Sequence, residues 1–88
     1  MFTSWGKETT AKFSKDKIKN CLEALEDFET YGTILRAKGI VEGDDGKWIH
    51  FDYIPSEADV RDGSAAVMGR ICVIGSGIKE DALAELFK

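Results

Sequence analysis

The chain has 88 residues, 43% of them hydrophobic and 32% charged, which are the proportions of an ordinary globular domain with a small core. Its net charge of −4 argues against a general nucleic-acid binder, which needs basic residues to neutralise phosphates. No apolar run is long enough to cross a bilayer and the N-terminus lacks the apolar segment of a signal peptide. We therefore expect one cytoplasmic domain over residues 1–88, with no nucleic-acid or membrane partner.

The N-terminal third predicts a strand followed by a helix. Residues Phe2–Gly6 favour a short strand, because Thr, Phe and Trp suit a pleated surface. Ser14 is the expected N-cap of the helix, and Phe13 and Ile18 are spaced as a hydrophobic staple. Gly32 is the expected helix stop. The apolar stripe predicted for this helix consists of Ile18, Cys21, Leu22, Leu25 and Phe28.

Residues 34–53 predict a β-hairpin, because apolar and polar residues alternate on both sides of an Asp-Gly turn. The apolar faces of the two strands coincide only if the loop has three residues, 44–46, rather than two. Gly46 then takes the left-handed conformation that closes such a loop.

This register defines the two faces of the hairpin. The predicted cross-strand pairs are Val41 with Ile49, Gly39 with Phe51, and Lys38 with Asp52. The predicted core face of the first strand consists of Leu35, Ala37, Gly39 and Val41, and its other face of Ile34, Arg36, Lys38 and Ile40.

The C-terminal part predicts a loop, a central strand and a final helix. Pro55 ends the second hairpin strand, and the polar residues 56–68 predict a long loop. Residues 70–75 form a nearly continuous apolar run, which is typical of a central strand covered on both faces. The apolar face of the final helix consists of Ala82, Leu83, Leu86 and Phe87.

The order of elements is therefore βαβββα, and the predicted class is α+β. The first strand, the helix and the next strand form a split βαβ unit with room for one strand between them. The last strand is the expected occupant because it is the most apolar. We expect a four-stranded, mainly antiparallel sheet in the order 1-4-2-3, with both helices on one face. The long loop is expected to run back along the sheet and to cover part of its opposite face.

Cys21 and Cys72 both lie within apolar patterns. We interpret them as small buried hydrophobic residues in a reducing compartment. A disulfide between them is the alternative.

Three short elements and a terminal helix follow one another in a recognisable order. The elements are Leu35-Arg36-Ala37-Lys38-Gly39, then Trp48 with His50-Phe51-Asp52-Tyr53, then Ile71-Cys72-Val73-Ile74-Gly75. Together they resemble the C-terminal domain of CobW-type metal-chaperone GTPases, and the resemblance covers essentially the whole chain.

The resemblance implies a parent protein with an N-terminal P-loop GTPase domain. Such proteins are associated with cobalt insertion in cobalamin synthesis, with zinc handling, or with activation of a metal-dependent nitrile hydratase. The present chain contains neither a Gly-x-x-x-x-Gly-Lys-Ser/Thr loop nor a Cys-x-Cys-Cys motif. We therefore expect no cofactor in this segment, and the resemblance assigns GTP and a divalent metal to the parent protein.

The polar face of the hairpin holds the candidate functional residues. Arg36, Lys38, Trp48, His50 and Asp52 share it, which is typical of a surface that contacts a partner. His50 and Asp52 stand two residues apart on one strand, so both can reach one metal ion. Lys38 makes metal binding at this point unfavourable, because its positive charge repels a metal ion and it is expected to pair with Asp52. The candidates for the further ligand that a metal needs are Glu57, Asp59 and Asp62.

We expect a non-catalytic accessory domain of a GTPase that delivers cobalt or zinc. Its expected partners are the N-terminal GTPase domain of the same protein and a client metalloprotein. The alternative is a direct metal-binding module that uses His50 and nearby carboxylates, and a third possibility is an unrelated small ligand-binding domain. No catalytic residue is predicted, because the single histidine is not placed to activate a serine or threonine.

Overall fold

The computed structural model describes residues 1–88 and forms an α+β fold around one sheet. The strands are β1 (Thr3–Thr9), β2 (Lys12–Phe13), β3 (Thr33–Gly43), β4 (Trp48–Ile54), β5 (Glu57–Gly63) and β6 (Gly69–Ser76). The helices are α1 (Lys15–Ala24), α2 (Phe28–Tyr31) and α3 (Glu80–Leu86). None of the three helices has the length and apolar character that crossing a bilayer requires.

The sheet has the order β1-β6-β3-β4-β5, with the two-residue β2 pairing with β3 off this path. All neighbours are antiparallel except β2 and β3, so the prediction of a mainly antiparallel sheet is confirmed. The predicted insertion of the last strand between the first strand and the hairpin is also confirmed. The four-stranded order as a whole is wrong, because β5 adds an edge strand and β2 adds a short parallel one.

Helix α1 begins as its sequence predicts. The Ser14 hydroxyl accepts a hydrogen bond of 3.0 Å from the Lys17 amide, and the staple residues Phe13 and Ile18 are both buried. The helix then ends at Ala24, earlier than predicted.

A second N-cap explains this early end. The Asp27 carboxylate accepts hydrogen bonds from the Thr30 amide and hydroxyl, at 3.4 and 2.6 Å, and so starts the separate helix α2. Phe28 consequently leaves the apolar stripe, and its prediction as a core residue is wrong, since its side chain is 64% exposed. Gly32, with φ +90°, ends α2 and not α1, so the prediction that it ends the helix begun at Ser14 is wrong.

The predicted hairpin register is confirmed. The cross-strand pairs are Val41 with Ile49, Gly39 with Phe51, and Lys38 with Asp52. The Gly43 amide donates to the Lys47 carbonyl at 2.8 Å, which encloses the three-residue loop 44–46. Gly46 has φ +84° and takes the left-handed conformation that was expected of it.

A β-bulge changes the faces at the start of β3. Ile34 pairs with Gly75 and Arg36 with Ile74, so Leu35 is the additional residue of the bulge. The alternation therefore shifts by one position, Ile34 becomes part of the core, and Leu35 is 37% exposed. The prediction that Leu35 lies on the core face and Ile34 on the other is wrong, because it assumed an uninterrupted strand.

Residues 57–63 form strand β5 rather than a loop, and pair with β4 from Ile54–Glu57 to Trp48–Gly63. The turn between β4 and β5 consists of Pro55 and Ser56. Pro suits the first turn position, and Ser56 has φ +68°, as the second position of a type II turn requires. Because residues 57–63 extend the edge of the sheet, the prediction that they form a loop is wrong. The expected cover of the face opposite the helices is limited to residues 66–68, which line a depression there with Glu8, Ile40 and Arg70.

The core lies between the sheet and the helices, where 15 buried residues form a single cluster. Ile18, Cys21 and Leu22 enter it from α1, Leu25 from the C-cap of α1, and Leu83 from α3. The Phe87 ring, at the C-terminal end of α3, stacks on Phe51 with the centroids 6.2 Å apart and on Trp5 with the centroids 6.3 Å apart.

Strand β6 lies in the middle of the sheet but is covered on one face only. Ile71 and Val73 are fully buried, whereas Ile74 is 39% exposed and Cys72 is half-buried. The prediction of a strand covered on both faces is therefore wrong. Cys21 is buried as predicted, and both cysteines are free, so the disulfide alternative is wrong.

Candidate functional site: an uncovered sheet face

The face of the sheet that points away from the helices is the candidate functional surface, and we call it the open face. Antiparallel pairs point their side chains to the same side, so the register assembles it in rows across the sheet. The first row is Glu8, Arg70, Ile40, His50 and Arg61; the second is Gly6, Cys72, Lys38, Asp52 and Asp59; the third begins with Ser4, Ile74 and Arg36. Glu42 on β3, Trp48 and Ile54 on β4, and Glu57 on β5 also lie on this face.

The structure brings together all five residues that the sequence placed on the polar face. Arg36, Lys38, Trp48, His50 and Asp52 lie on β3 and β4 and point away from the core. Arg36 and Lys38 are exposed, and the other three are half-buried among their neighbours.

A network of arginines and carboxylates occupies the β4 and β5 part of the open face. The Arg61 guanidinium donates through Nη1 to Asp59 Oδ2 at 2.6 Å and to Asp52 Oδ2 at 3.2 Å. Arg36 Nη2 lies 3.7 Å from the second oxygen, Oδ1, of Asp52. The hydrogen bond to Asp59, and secondarily that to Asp52, raises the pKa of Arg61 above its ordinary value. These pairs are solvent-exposed, so they contribute little to stability.

Lys38 faces Asp52 in the register but makes no ion pair with it. The Asp52 carboxylate is shared by Arg36 and Arg61 instead, and the ion pairs of the protein do not include Lys38. The expected Lys38–Asp52 interaction is thus replaced, because β5 places Arg61 beside Asp52.

His50 is held by the chain that follows β5. Its ring Nε2 lies 2.9 Å from the carbonyl oxygen of Ser64. Because a carbonyl oxygen only accepts, Nε2 carries the proton and donates, which leaves Nδ1 as the free nitrogen.

The candidate metal ligands are separated by these contacts. His50 and Asp52 share the open face, as predicted, and Asp59 shares it too, bound by Arg61. Asp62 lies on the other face of β5, where Lys15 Nζ is 2.8 Å from its Oδ1, and this hydrogen bond lowers the pKa of Asp62. No group of three or more His, Cys, Asp or Glu side chains is arranged to hold a metal ion.

Sequence reasoning missed several residues of the open face, and four of them shape the candidate site. They are Arg61, Arg70, Cys72 and Ile74. The three on β6 were assigned to a doubly covered strand, although Arg70 was a signal that one face is wet. The sequence predicts a loop around Arg61, and a loop gives no reason to place Arg61 beside Asp52.

A depression also lies between the three helices, on the side of the molecule opposite the open face. It has a volume of about 490 Å³ and is lined by Lys17, Cys21, Tyr31 and Glu85, among others. The Cys21 thiol donates to the Leu86 carbonyl at 3.4 Å, and burial raises the pKa of this thiol. Its geometry is that of a structural cysteine between helices.

The comparisons with known proteins agree with the architecture. In fold, the chain is similar to the Zn(II)-bound YjiA GTPase from E. coli, with a TM-score of 0.77 at 18% identity. It is also similar to a Zn(II)-bound triple mutant of YjiA GTPase, with a TM-score of 0.79 at 16% identity. In both cases 98% of this chain is covered, but the chain spans only 28% of the length of the protein it matches. No curated protein matches the chain.

The family comparison covers nearly every residue. Residues 2–88 match the model of the cobalamin synthesis protein cobW C-terminal domain. The elements of β3, β4 and β6 that suggested the resemblance lie side by side at the centre of the sheet. The chain therefore belongs to the cobW C-terminal domain family.

Proposed function

We propose that this domain is a non-catalytic accessory domain of a CobW-like GTPase that delivers cobalt or zinc to metalloenzymes or to cobalamin synthesis. In this proposal its open face docks against the N-terminal GTPase domain of the same cytoplasmic protein, and a client metalloprotein is the second partner. GTP and the metal are held by the GTPase domain.

The observation that carries the proposal is a sheet with one face left uncovered. That face mixes charged groups with exposed apolar side chains, including Ile54 at 47% and Ile74 at 39% exposure. A half-apolar, half-ionic surface on rigid strands is the composition of a domain contact. The similar solved proteins are GTPases more than three times as long as the matched segment, which favours a neighbouring GTPase domain as the partner.

Isoleucine methyl NMR tests the docking proposal. The 88-residue chain and the full natural protein that contains it are both labelled at isoleucine methyl groups. We expect the signals of Ile40, Ile54 and Ile74 to differ between the two proteins and to respond to GTP or GDP. The core residues Ile18, Ile49 and Ile71 serve as matched controls and are expected to change little, since their surroundings lie within the domain.

Two results would contradict the proposal. One is a full natural protein without a GTPase domain. The other is a set of open-face methyl signals that are the same in the 88-residue chain and in the full protein.

Direct metal binding through His50 and nearby carboxylates remains the second candidate. Zinc in the two similar GTPase structures favours it. The arginines around Asp52 oppose it, since a metal has to displace them from the carboxylate, although the Nδ1 nitrogen of His50 is free. Titration of the 88-residue chain with Zn²⁺ or Co²⁺, followed by nitrogen-15 NMR, separates the two functions: stoichiometric loss of the His50 and Asp52 signals would establish a metal module.

A further inference from the structure

The geometry points to a specific occupant for part of the open face: a short, acidic amphipathic helix of the GTPase domain, lying across β1, β6 and β3 with a carboxylate on Lys38. This inference rests on the proposed docking of the two domains and adds which surface docks and what chemistry it recognises.

The charge of the open face is divided between its two halves. The half formed by β1, β6 and β3 carries Arg36, Lys38 and Arg70 against two carboxylates, Glu8 and Glu42, the second of which is already paired with Lys12 of β2 at 3.8 Å. The half formed by β4 and β5 carries Asp52, Asp59 and Glu57 against the single arginine Arg61. The first half is therefore cationic on a protein whose net charge is −4, and it is complementary to an acidic partner.

Among the three cations on β3 and β6 of this half, Lys38 is the one without a carboxylate partner. Arg70 Nη2 binds Glu8 at 2.9 Å, and Arg36 lies 3.7 Å from Asp52. Lys38 stands in the middle row of the face and has no ion pair. A partner carboxylate at this point meets a cation that loses no other interaction by binding it.

The surface around Lys38 suits apolar side chains on either side of that carboxylate. One depression of about 230 Å³ includes Gly39, Ile40 and Arg70 in its lining. A second, of about 150 Å³, includes Arg36 and Ile74. Both are bounded by Lys38 and Cys72, so they flank the middle row.

The spacing of the rows matches the width of a helix. Ile40 and Arg36 are four residues apart on β3, which separates the two outer rows by about 13 Å at the rise of a strand. A helix with its side chains is about 10–12 Å wide. On β1 the middle row ends at Gly6, where no side chain obstructs the helix. The face of a paired sheet offers no free backbone groups to an extended strand, and three cations on an acidic protein are a poor match for nucleic acid.

Carbodiimide cross-linking of the full natural protein tests the inference directly, because this reagent joins an amine only to a carboxylate in contact with it. We expect Lys38 to be joined to an Asp or Glu in the GTPase domain, within a helix that has apolar residues three or four positions away. Lys19, on α1 and also without an ion pair, is the control amine.

Alkylation of Cys72 by iodoacetamide, mapped by mass spectrometry, provides a second readout. We expect Cys72 to react at least about tenfold more slowly in the full protein than in the 88-residue chain, which corresponds to a docked population above 90%. Cys21 is the internal control, because it is buried within the domain in both forms. Lys38→Glu is expected to restore the fast reaction of Cys72, and Lys38→Gln to restore part of it. Lys19→Glu, with the same change of charge, is expected to leave Cys72 protected.

The failures of the two proposals are distinguishable. If the open-face isoleucine signals change on docking while Cys72 stays reactive, the domain docks elsewhere on this face and the inference of the helix is overturned. If Lys38 is joined only to carboxylates of residues 1–88, or to a segment that is not helical, the inference is also overturned. A full protein without a GTPase domain would overturn the proposed function itself.

Discussion

At the scale of the residue, packing around Gly39 of β3 leaves no room for a side chain. A Cβ placed there would lie 2.5 Å from Phe51 Cζ and 2.7 Å from the Arg70 carbonyl oxygen. Because the second contact is with backbone in the middle of the sheet, the strain is not relieved by a side-chain rotation. We expect Gly39→Ala to lower the free energy of unfolding by about 1–3 kcal/mol, measured by urea denaturation with tryptophan fluorescence.

Gly6→Ala is the matched control on a neighbouring part of the same sheet. The nearest atom to its added Cβ is the Ile71 carbonyl oxygen, at an ordinary 3.7 Å. This substitution is expected to change the free energy of unfolding by less than about 1 kcal/mol, in the stabilising direction. Equal losses at the two positions would show that close approach of Phe51 is not the reason for Gly39.

Tyr53 and Glu26 form a titratable pair that links the turn after α1 to β4 and the β4–β5 turn. The Tyr53 hydroxyl and the Ser56 amide both donate to Glu26 Oε2. Burial, then the hydrogen bond to Glu26 and its charge, raises the pKa of Tyr53. The same hydrogen bonds, that of Tyr53 first, lower the pKa of Glu26.

The two pKa shifts predict opposite pH dependences of the free energy of unfolding. Since the folded pKa of Tyr53 is raised, its contribution to stability is complete below the unfolded pKa of about 10 and is lost as the pH rises further. Since the folded pKa of Glu26 is lowered, its contribution is present above about pH 4.3 and is lost as the pH falls. We expect Tyr53→Phe to remove part of both losses in urea denaturation at pH 3 to 11. Tyr31→Phe, on α2, is the control; a wild-type pH profile in Tyr53→Phe would contradict the assignment.

At the scale of the element, β5 shows where the alternation of residues is a poor guide. Only Val60 of its seven residues is half-buried, and the other six are exposed. Four of the seven residues of this edge strand are charged, and its apolar alternation is limited to Ala58 and Val60, because its pairing depends on backbone hydrogen bonds to β4 rather than on burial. The available signal was Pro55, which suits the first position of a two-residue turn.

Ser56 holds the second position of that turn in a conformation that L-residues disfavour, with φ +68°. We expect Ser56→Gly to raise the free energy of unfolding by about 0.5–1 kcal/mol, because glycine adopts this conformation without a steric cost. Ser4→Gly, within β1, is the control and is expected to lower it by about 0.5–1 kcal/mol. A loss of stability in both variants, seen as lower urea midpoints, would mean that Ser56 is not strained.

The hairpin was predictable to the residue, and the reason is physical. Its two apolar faces must coincide, and only one loop length satisfies this condition, so Val41–Ile49 and the position of Gly46 followed from alternation alone. The partners of Asp52 did not follow, because they depend on β5. Strand β5 is not specified by buried residues, yet its position determines that Lys38 is the cation of the candidate site without a carboxylate partner.

At the scale of the whole molecule, the first strand and the last helix close the core together. The Phe87 ring is fully buried and stacks on Trp5 of β1, while Lys7 Nζ donates to the Phe87 carbonyl at 3.2 Å. These contacts join positions some 80 residues apart, so they form only when the fold is complete.

Phe87→Ala is accordingly expected to cost about 3–5 kcal/mol, a large part of the 5–15 kcal/mol that stabilises a typical domain. The loss is measured as the change in the free energy of urea unfolding. Phe28→Ala is the matched control, since Phe28 is exposed on α2, and it is expected to change stability by less than about 0.5 kcal/mol. A comparable loss in both variants would contradict the separation of Phe28 from the core.

The bulge at Leu35 has a consequence for how the length of this chain can vary. It offsets the phase of β3 by one residue, so Ile34 and Ala37 both face the core although they are three positions apart. Deletion of Leu35 leaves them two positions apart, in phase with the rest of the strand and with no core residue displaced. We expect this deletion to retain the fold, seen as a cooperative urea transition and an unchanged far-ultraviolet circular dichroism spectrum. Deletion of Lys38 instead inverts the phase of half the strand and is expected to abolish the transition, so β3 tolerates a lost residue at one point and not at its neighbours.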